Sequence, residues 1–222
     1  MQCGRGRGFY HAGDLHTLCG VPAGIGSAEE GAESARGTIK SDGREEGIRL
    51  SARGVSLTAV GIALVAVMVS AVRVPIPATG GYGHLGVIAE TFIATAFGPV
   101  IGGVASGVGA ALADLIGGFG SFAPLTLVAH GSTGLLVGWL AWRKGWPGRF
   151  SGWILGGLAQ VAIYFLGEAT VYGFGVAGAA AELPLNLIQI GLGFFGLLLF
   201  SLVRQAYPQV EQLGSAAKFE EV

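Results

Sequence analysis

Charged side chains are scarce in this sequence, since Asp, Glu, Lys and Arg together make up 12% of its 222 residues. A soluble domain carries about 25% charged residues, so the chain has too little polar surface for a water-soluble protein. The formal net charge of −1 argues against a nucleic-acid partner. Cys3 and Cys19 are the only cysteines, and their spacing fits no zinc or CxxC pattern. We therefore expect no disulfide framework, no metal site and no cofactor.

Apolar residues, in contrast, run almost without interruption from residue 55 to residue 203. A bilayer-spanning helix needs about 20 such residues. Six segments qualify or nearly qualify, and the second is the shortest. The predicted spans cover residues 55–72, 84–97, 100–119, 124–142, 152–172 and 183–203. The predicted fold class is therefore all-α: a polytopic membrane protein with a bundle of six transmembrane helices.

The basic residues predict how this bundle is oriented, because cytoplasmic loops carry an excess of Lys and Arg. With the N-terminus inside, only Arg73 falls in an outer loop. The inner flanks and loops hold Arg49, Arg53, Arg143, Lys144, Arg149 and Arg204. Trp139, Trp142, Trp146 and Trp153 fall near the same inner side, as an interfacial aromatic belt would. We therefore predict a multi-pass protein of the cell membrane with both termini in the cytoplasm.

The two ends of the chain differ from this block. Residues 1–48 are rich in Gly, Glu, Arg and Ser and have no apolar core of a signal peptide. They are interpreted as a disordered tail or as a leader translated from a start codon that was placed too early. Residues 49–206 form the predicted membrane domain. Residues 207–222 are predicted to be a short cytoplasmic tail.

Small residues recur at four-residue spacing in two helices. The third span has two such series, which are Gly103, Gly107, Ala111 and Gly109, Ala113, Gly117. Small residues let transmembrane helices approach closely, so these series predict tight packing. Ala59 and Ala63 leave a similar flat surface on the first helix, which packs either inside the bundle or against another membrane protein.

Polar side chains within an apolar span usually face a protein interior or a water-filled cavity, because a charge at mid-bilayer costs about 2.5–3.5 kcal/mol. In the predicted orientation, most of them lie toward the outer side. The alternatives are that Asp114 and His130 serve structure alone, and that Glu182 is a solvated acid at a helix N-terminus. The candidates for an outward-facing binding pocket are Tyr82, His84, Glu90, Asp114, His130, Glu168, Tyr172, Asn186 and Gln189. Imidazoles, carboxylates, amides and tyrosines together suit a small polar aromatic ligand.

An intramembrane enzyme is the main alternative of a different class. His130-Gly-Ser132-Thr-Gly134 resembles an intramembrane serine protease, but that chemistry needs a histidine base on another helix. The sixth span contains no histidine. No P-loop is present, so the chain cannot hydrolyse ATP itself. We therefore predict that it is not an enzyme.

Several motifs resemble the substrate-binding (S) components of energy-coupling factor (ECF) vitamin transporters. They are Arg73-Val-Pro-Ile-Pro77-Ala-Thr-Gly80-Gly-Tyr82, Phe97-Gly-Pro99-Val, Gly109-Ala-Ala-Leu-Ala113-Asp114-Leu and Ala123-Pro124-Leu-Thr126-Leu with His130-Gly131. The resemblance covers about residues 55–203 and implies six spans and an outward vitamin pocket. It also implies that an Ala-x-x-x-Ala pattern, here Ala59 and Ala63, docks on a membrane coupling subunit that works with two cytoplasmic ATPases.

The ligand is expected to be a small vitamin or vitamin precursor. Thiamine or its hydroxymethylpyrimidine precursor is the first choice, because an aminopyrimidine suits carboxylates and imidazoles. Riboflavin or another vitamin remains the alternative.

Overall fold

The computed structural model describes residues 51–215, and 81% of them are helical. The helices are α1 (Ala52–Ala71), α2 (Gly86–Phe97), α3 (Pro99–Gly117), α4 (Ala123–Ala141), α5 (Trp146–Leu166), α6 (Gly175–Ala206) and α7 (Val210–Ser215). A π-helical segment, Gly167–Val171, continues α5. Two short strands, β1 (Arg73–Ile76) and β2 (Gly81–His84), lie between α1 and α2.

Five of these helices, α1 and α3 to α6, are long and apolar enough to cross a membrane. Helix α2 has 12 residues. At 1.5 Å per residue it extends about 18 Å, which is less than the roughly 30 Å hydrocarbon core of a bilayer. The helical membrane fold is therefore confirmed, whereas six spans and cytoplasmic termini stay predictions.

The helices form a ring in which α1 contacts α3, α3 contacts α4, α4 contacts α5, α5 contacts α6 and α6 contacts α2. Helix α2 closes the ring against α1 and also touches α3 and α4, so it is largely buried. Contacts between loops define two ends of the bundle. The β-hairpin and the α3–α4 turn share one end, because the Arg73 guanidinium donates to the Ala113 carbonyl (3.0 Å). We call it the hairpin end.

Glycine lets these helices approach closely, as the spacing on the third helix predicts. A Cβ atom at Gly103 would lie 2.5 Å from Leu135 of α4, and one at Gly107 would lie 2.8 Å from the Leu127 carbonyl. The second series faces helix α1, because a Cβ atom at Gly109 would lie 2.7 Å from the Val65 side chain of α1. The predicted tight packing is confirmed, and the two series serve two different neighbours.

The β-hairpin is a departure from the all-α prediction. Arg73 pairs with His84 and Ile76 with Gly81 in antiparallel register. The turn between the strands is closed by the Gly80 amide, which donates to the Ile76 carbonyl (2.9 Å), and Gly80 has a φ of 74° that favours glycine. The hairpin directs β2 into the bundle, and His84 is therefore buried.

Two helix starts also differ from the prediction. Helix α5 begins at Trp146, because Pro147 is well tolerated in a first turn. Helix α6 begins at Gly175, eight residues before the predicted start at Leu183. The alanine-rich turn before Pro184 is a strong helix former, so the helix forms on both sides of that proline. Glu182 and Asn186 therefore lie within α6 and not at its start.

At the opposite end of the bundle, α7 packs beside the C-terminus of α2. Val210 is buried against Ala96 and Phe200. The Glu211 carboxylate accepts a hydrogen bond from the buried Arg149 guanidinium at 3.0 Å. It also lies 3.4 Å from the guanidinium of Arg204. Arg149 also lies over the Phe200 ring, at 4.7 Å from its centroid.

We expect Glu211→Ala to lower the thermal unfolding midpoint of the detergent-purified protein. The change leaves the Arg149 guanidinium buried without its carboxylate, which typically costs about 1–3 kcal/mol or more for a charged group. Arg204→Ala is the matched control, because Arg204 is about half exposed and an exposed ion pair is worth about 0–1 kcal/mol. Equal midpoints for Glu211→Ala and wild type would contradict a stabilising role for this ion pair.

Candidate functional site

A polar pocket lies at the hairpin end of the bundle, between the hairpin and helices α3 to α6. It contains about 380 Å³ of space not occupied by atoms, part of which opens to solvent. It is lined by Gly81, Tyr82, His84, Asp114, Phe122, Thr126, His130, Tyr164, Glu182 and Gln189. Five of the residues singled out from the sequence, Tyr82, His84, Asp114, His130 and Gln189, are among them.

Tyr82 and Asp114 form one wall of the pocket. The Tyr82 hydroxyl donates to Asp114 Oδ1 at 2.5 Å, while Asp114 Oδ2 is buried without a hydrogen-bond partner. Burial and the adjacent carboxylate raise the pKa of Tyr82, so its hydroxyl stays a neutral donor. The Arg73 guanidinium lies over the Tyr82 ring, 5.1 Å from its centre, and stabilises the ring position by a cation–π interaction. Asp114 thus has both a structural bond and an oxygen left for a further donor.

Two imidazoles form the floor of the pocket. The rings of His84 and His130 are 5.0 Å apart, and His130 Nδ1 lies 2.8 Å from Glu90 Oε2. The other ring nitrogen of His130, Nε2, is buried and has no hydrogen-bond partner. Glu90 therefore lies behind His130 and orients it.

The second imidazole of the floor is His84. Its Nδ1 accepts from the Gly86 amide at 3.1 Å. Burial, together with the charges of His130 and Arg73, lowers the pKa of His84, which is therefore neutral. A neutral ring that accepts at Nδ1 carries its proton on Nε2. The floor thus offers the unpartnered Nε2 of His130 and one donor, at His84.

The opposite wall is acidic. Glu182 lines the pocket and accepts from the Thr79 hydroxyl in the hairpin turn. It is buried, so the interpretation of Glu182 as a solvated helix-terminal acid is wrong. The Glu168 carboxyl, on the π-helical segment, is completely shielded from solvent. Neither of its oxygens has a hydrogen-bond partner.

Gln189 belongs to the pocket lining, and the other predicted residues lie beside it. Gln189 donates to the His84 carbonyl at 3.3 Å and so supports β2. Tyr172 stacks on Phe122 at 5.4 Å and donates to the Ser121 carbonyl at 2.7 Å, outside the lining. Asn186 is buried but is not part of the lining either. Glu90, Glu168, Tyr172 and Asn186 therefore surround the pocket and do not form its surface.

Sequence reasoning missed four side chains at this site: Arg73, Phe122, Thr126 and Tyr164. The Tyr164 hydroxyl donates to Thr126 Oγ1 at 3.0 Å, and its ring packs edge-on against His130. None of Phe122, Thr126 or Tyr164 carries a charge, so they did not stand out from the apolar run. One signal was available for Tyr164, which precedes Glu168 by four residues and thus shares its helix face.

Within residues 51–215, no group of three or more His, Cys, Asp or Glu side chains is arranged to hold a metal ion. The buried polar groups of the pocket are instead spread over both walls and the floor. Such a distribution suits hydrogen bonds to different atoms of one organic molecule.

The fold and the pocket define an integral membrane protein with a polar pocket at one end of a helical bundle. The sequence profile of the ECF-type riboflavin transporter S component family matches residues 49–206. The chain belongs to this family, which confirms the resemblance seen in the sequence. It is therefore a multi-pass protein of the cell membrane and a transporter component, and the family is not one of enzymes.

Two relatives extend the comparison. An uncharacterized protein in a gap 3′ region of Pyrococcus woesei is 43% identical over 117 residues, which cover 52% of this chain and 77% of that protein. The thiamine precursor transporter HmpT of Lactococcus lactis subsp. cremoris is 29% identical over 143 residues, which cover 63% of this chain and 76% of HmpT. ECF S components bind a vitamin and associate with an energy-coupling module.

Proposed function

We propose that this S component captures an aminopyrimidine, either thiamine or its hydroxymethylpyrimidine precursor, from outside the cell. The observation that carries this proposal is the pair of buried polar atoms without partners at the pocket, Asp114 Oδ2 and His130 Nε2. Buried polar atoms are normally hydrogen-bonded, so Asp114 Oδ2 is suited to donors of a ligand and His130 Nε2 to a second polar atom of the same ligand. The amino group of an aminopyrimidine supplies such donors, and its ring nitrogens accept from a group such as His84 Nε2–H.

Aromatic side chains support the same ligand class. Tyr82, Phe122 and Tyr164 line the pocket and provide faces and edges for a flat ring. In this proposal Tyr82, His84, Asp114, His130 and Gln189 surround the ligand. Glu90, Glu168, Tyr172 and Asn186 hold the lining residues in place.

Riboflavin is the second candidate, and the description of the matching family favours it. Its ring presents a carbonyl on each side of a single N–H, so most of that edge needs donors from the protein. The pocket instead offers the carboxyl groups of Asp114 and Glu182 beside His130. The name of the relative HmpT also supports a thiamine precursor for this chain. We therefore rank the aminopyrimidine first.

We also propose that α1 docks on a membrane coupling subunit that works with two cytoplasmic ATPases. Only Gly61, Val65 and Val69 of α1 are buried, and Ala59 and Ala63 are exposed on its outer face. Their small side chains leave a flat surface that a second transmembrane helix can approach. The helix contributes no residue to the pocket lining, so docking and ligand binding are separable.

Ala59→Trp is expected to spare ligand binding and to abolish uptake, because an indole on the flat surface prevents close helix approach. Uptake of labelled hydroxymethylpyrimidine in cells that express the coupling module measures this effect. Leu155→Trp is the control, since Leu155 is also exposed but lies on α5. Normal uptake by Ala59→Trp would rule out this surface as the docking site.

Reconstitution tests the whole function. In proteoliposomes, we expect accumulation of labelled hydroxymethylpyrimidine only when the coupling subunit, both ATPases and ATP are present. Accumulation by this chain alone would indicate a stand-alone carrier instead. Peptide cleavage that is lost on Ser132→Ala would indicate an intramembrane protease.

A further inference from the structure

Thr126 and Tyr164 bring two hydroxyl groups to the pocket from neighbouring helices. Thr126 is on α4, Tyr164 is on α5, and both residues line the pocket. The Tyr164 hydroxyl donates to Thr126 Oγ1 at 3.0 Å. A phenol donates a hydrogen bond more readily than an aliphatic alcohol, so the proton of this bond comes from Tyr164. The Tyr164 ring also packs edge-on against His130, which helps to fix the position of its hydroxyl.

This arrangement leaves the hydroxyl proton of Thr126 without an acceptor. A threonine in a helix often donates to the carbonyl four residues earlier, and Thr133 on the same helix donates in this way to Ala129 at 2.9 Å. Within residues 51–215, the Thr126 hydroxyl accepts from Tyr164 but donates to no other group. Thr126 is only 4% exposed, and buried polar groups are normally hydrogen-bonded. Its proton is therefore available to an acceptor atom of a bound molecule.

We propose that Thr126 donates its hydroxyl proton to a ring nitrogen of the ligand, and that Tyr164 is a positioning residue that orients this hydroxyl. The inference rests on the proposed function and specifies the ligand class further. An aminopyrimidine has two ring nitrogens, and the pocket has a donor for each of them, the Nε2–H of His84 and the hydroxyl of Thr126. The pocket therefore selects a pyrimidine over a pyridine that carries the same substituents.

Two analogues of hydroxymethylpyrimidine, each with one ring nitrogen replaced by C–H, test this selection by isothermal titration. Wild type should bind both analogues at least about fivefold more weakly than hydroxymethylpyrimidine, because each analogue leaves one buried donor unpaired. Thr126→Val has nearly the same shape but no hydroxyl, so it should bind one of the two analogues at least as well as hydroxymethylpyrimidine. If Thr126→Val discriminates against both analogues as strongly as wild type does, Thr126 does not bind a ring nitrogen and the proposal is wrong.

The same three compounds test the positioning role of Tyr164. Tyr164→Phe keeps the ring against His130 but frees the Thr126 hydroxyl to turn to another acceptor. Discrimination against the analogue that depends on Thr126 should therefore fall by about threefold or more, whereas a purely structural role would weaken all three compounds equally. Thr126→Ser keeps the hydroxyl and should restore the discrimination. Unchanged discrimination in Tyr164→Phe would contradict the positioning role.

Thr58→Val is the matched control, because Thr58 donates to the Gly54 carbonyl of α1 at 2.8 Å and lies outside the pocket lining. It should bind all three compounds as wild type does. The double variant Thr126→Val with Tyr164→Phe leaves neither hydroxyl unpaired, so it should unfold near the wild-type temperature and still lose the discrimination. If wild type binds hydroxymethylpyrimidine and both analogues equally, only this inference fails. If wild type binds none of the three, the proposed function fails and this inference fails with it.

Discussion

His130→Ala is expected to weaken binding of hydroxymethylpyrimidine more than any other single change in the pocket. The substitution removes the buried, unpartnered Nε2, and it also removes the partner of the buried Glu90 carboxyl. A lost hydrogen bond to a buried group costs about 1–3 kcal/mol of binding free energy. Leaving the buried Glu90 carboxyl without its partner also costs about 1–3 kcal/mol of folding stability. Isothermal titration and thermal unfolding of the same preparation measure the two effects.

A double variant separates these effects. Glu90→Leu combined with His130→Leu removes both polar partners and fills their space, which is often neutral for stability. We expect this variant to unfold near the wild-type temperature and still to bind the ligand weakly. Wild-type affinity in His130→Ala would show that the imidazole does not contact the ligand.

Gly134→Ala is expected to have the largest effect on folding. A Cβ atom at Gly134 would lie 2.3 Å from the Gly102 carbonyl oxygen and 2.6 Å from its carbon. These are backbone atoms of α3, so they cannot rotate away as a flexible side chain could. Overpacking typically costs about 1–3 kcal/mol and occasionally more. A lower thermal unfolding midpoint and a lower yield of monodisperse protein in detergent would follow.

Gly131 provides the matched control on the same helix, one turn earlier. Its nearest neighbouring atom, the Gly103 carbonyl oxygen, would lie 3.7 Å from an added Cβ, which is an ordinary contact. Gly131→Ala should therefore unfold at or slightly above the wild-type temperature, because alanine favours helix formation. If Gly131→Ala and Gly134→Ala unfold at the same temperature, the backbones of α3 and α4 are not in close contact at Gly134.

The sequence contained enough information to predict most of the helical bundle. The starts and ends of α1, α3 and α4 follow from runs of apolar residues between charged or Gly-Pro boundaries, and the structure departs from them by only a few residues. The glycine series of α3 predicted close packing because small residues at four-residue spacing have few other uses in a membrane helix. The polar lining was predictable because buried polar groups are costly and therefore conspicuous in an apolar sequence.

The hairpin and the supporting side chains were not predictable in the same way. Strand β2 contains Gly-Tyr-Gly-His, which has low intrinsic strand propensity, and it is held by pairing with β1 and by packing against α6. The start of α6 was misjudged because Pro184 normally marks a helix boundary. Arg73 was interpreted only as an outer charge, since its stacking on Tyr82 depends on a tertiary contact.

The pair of Glu168 and Glu182 illustrates the same limit. Each residue was recognisable as a polar group in an apolar region, but 14 positions separate them in the sequence. The two segments that carry them, the π-helical end of α5 and the early part of α6, are in contact with each other. π-helical turns often occur at functional sites, and no residue pattern in this chain predicted one.

The most direct test of the central claim is isothermal titration of the detergent-purified wild-type protein with hydroxymethylpyrimidine and, separately, with riboflavin. We predict saturable binding of hydroxymethylpyrimidine with one site per chain, and much weaker binding of riboflavin. Saturable binding of riboflavin without any response to hydroxymethylpyrimidine or thiamine would contradict the assignment of this pocket to an aminopyrimidine.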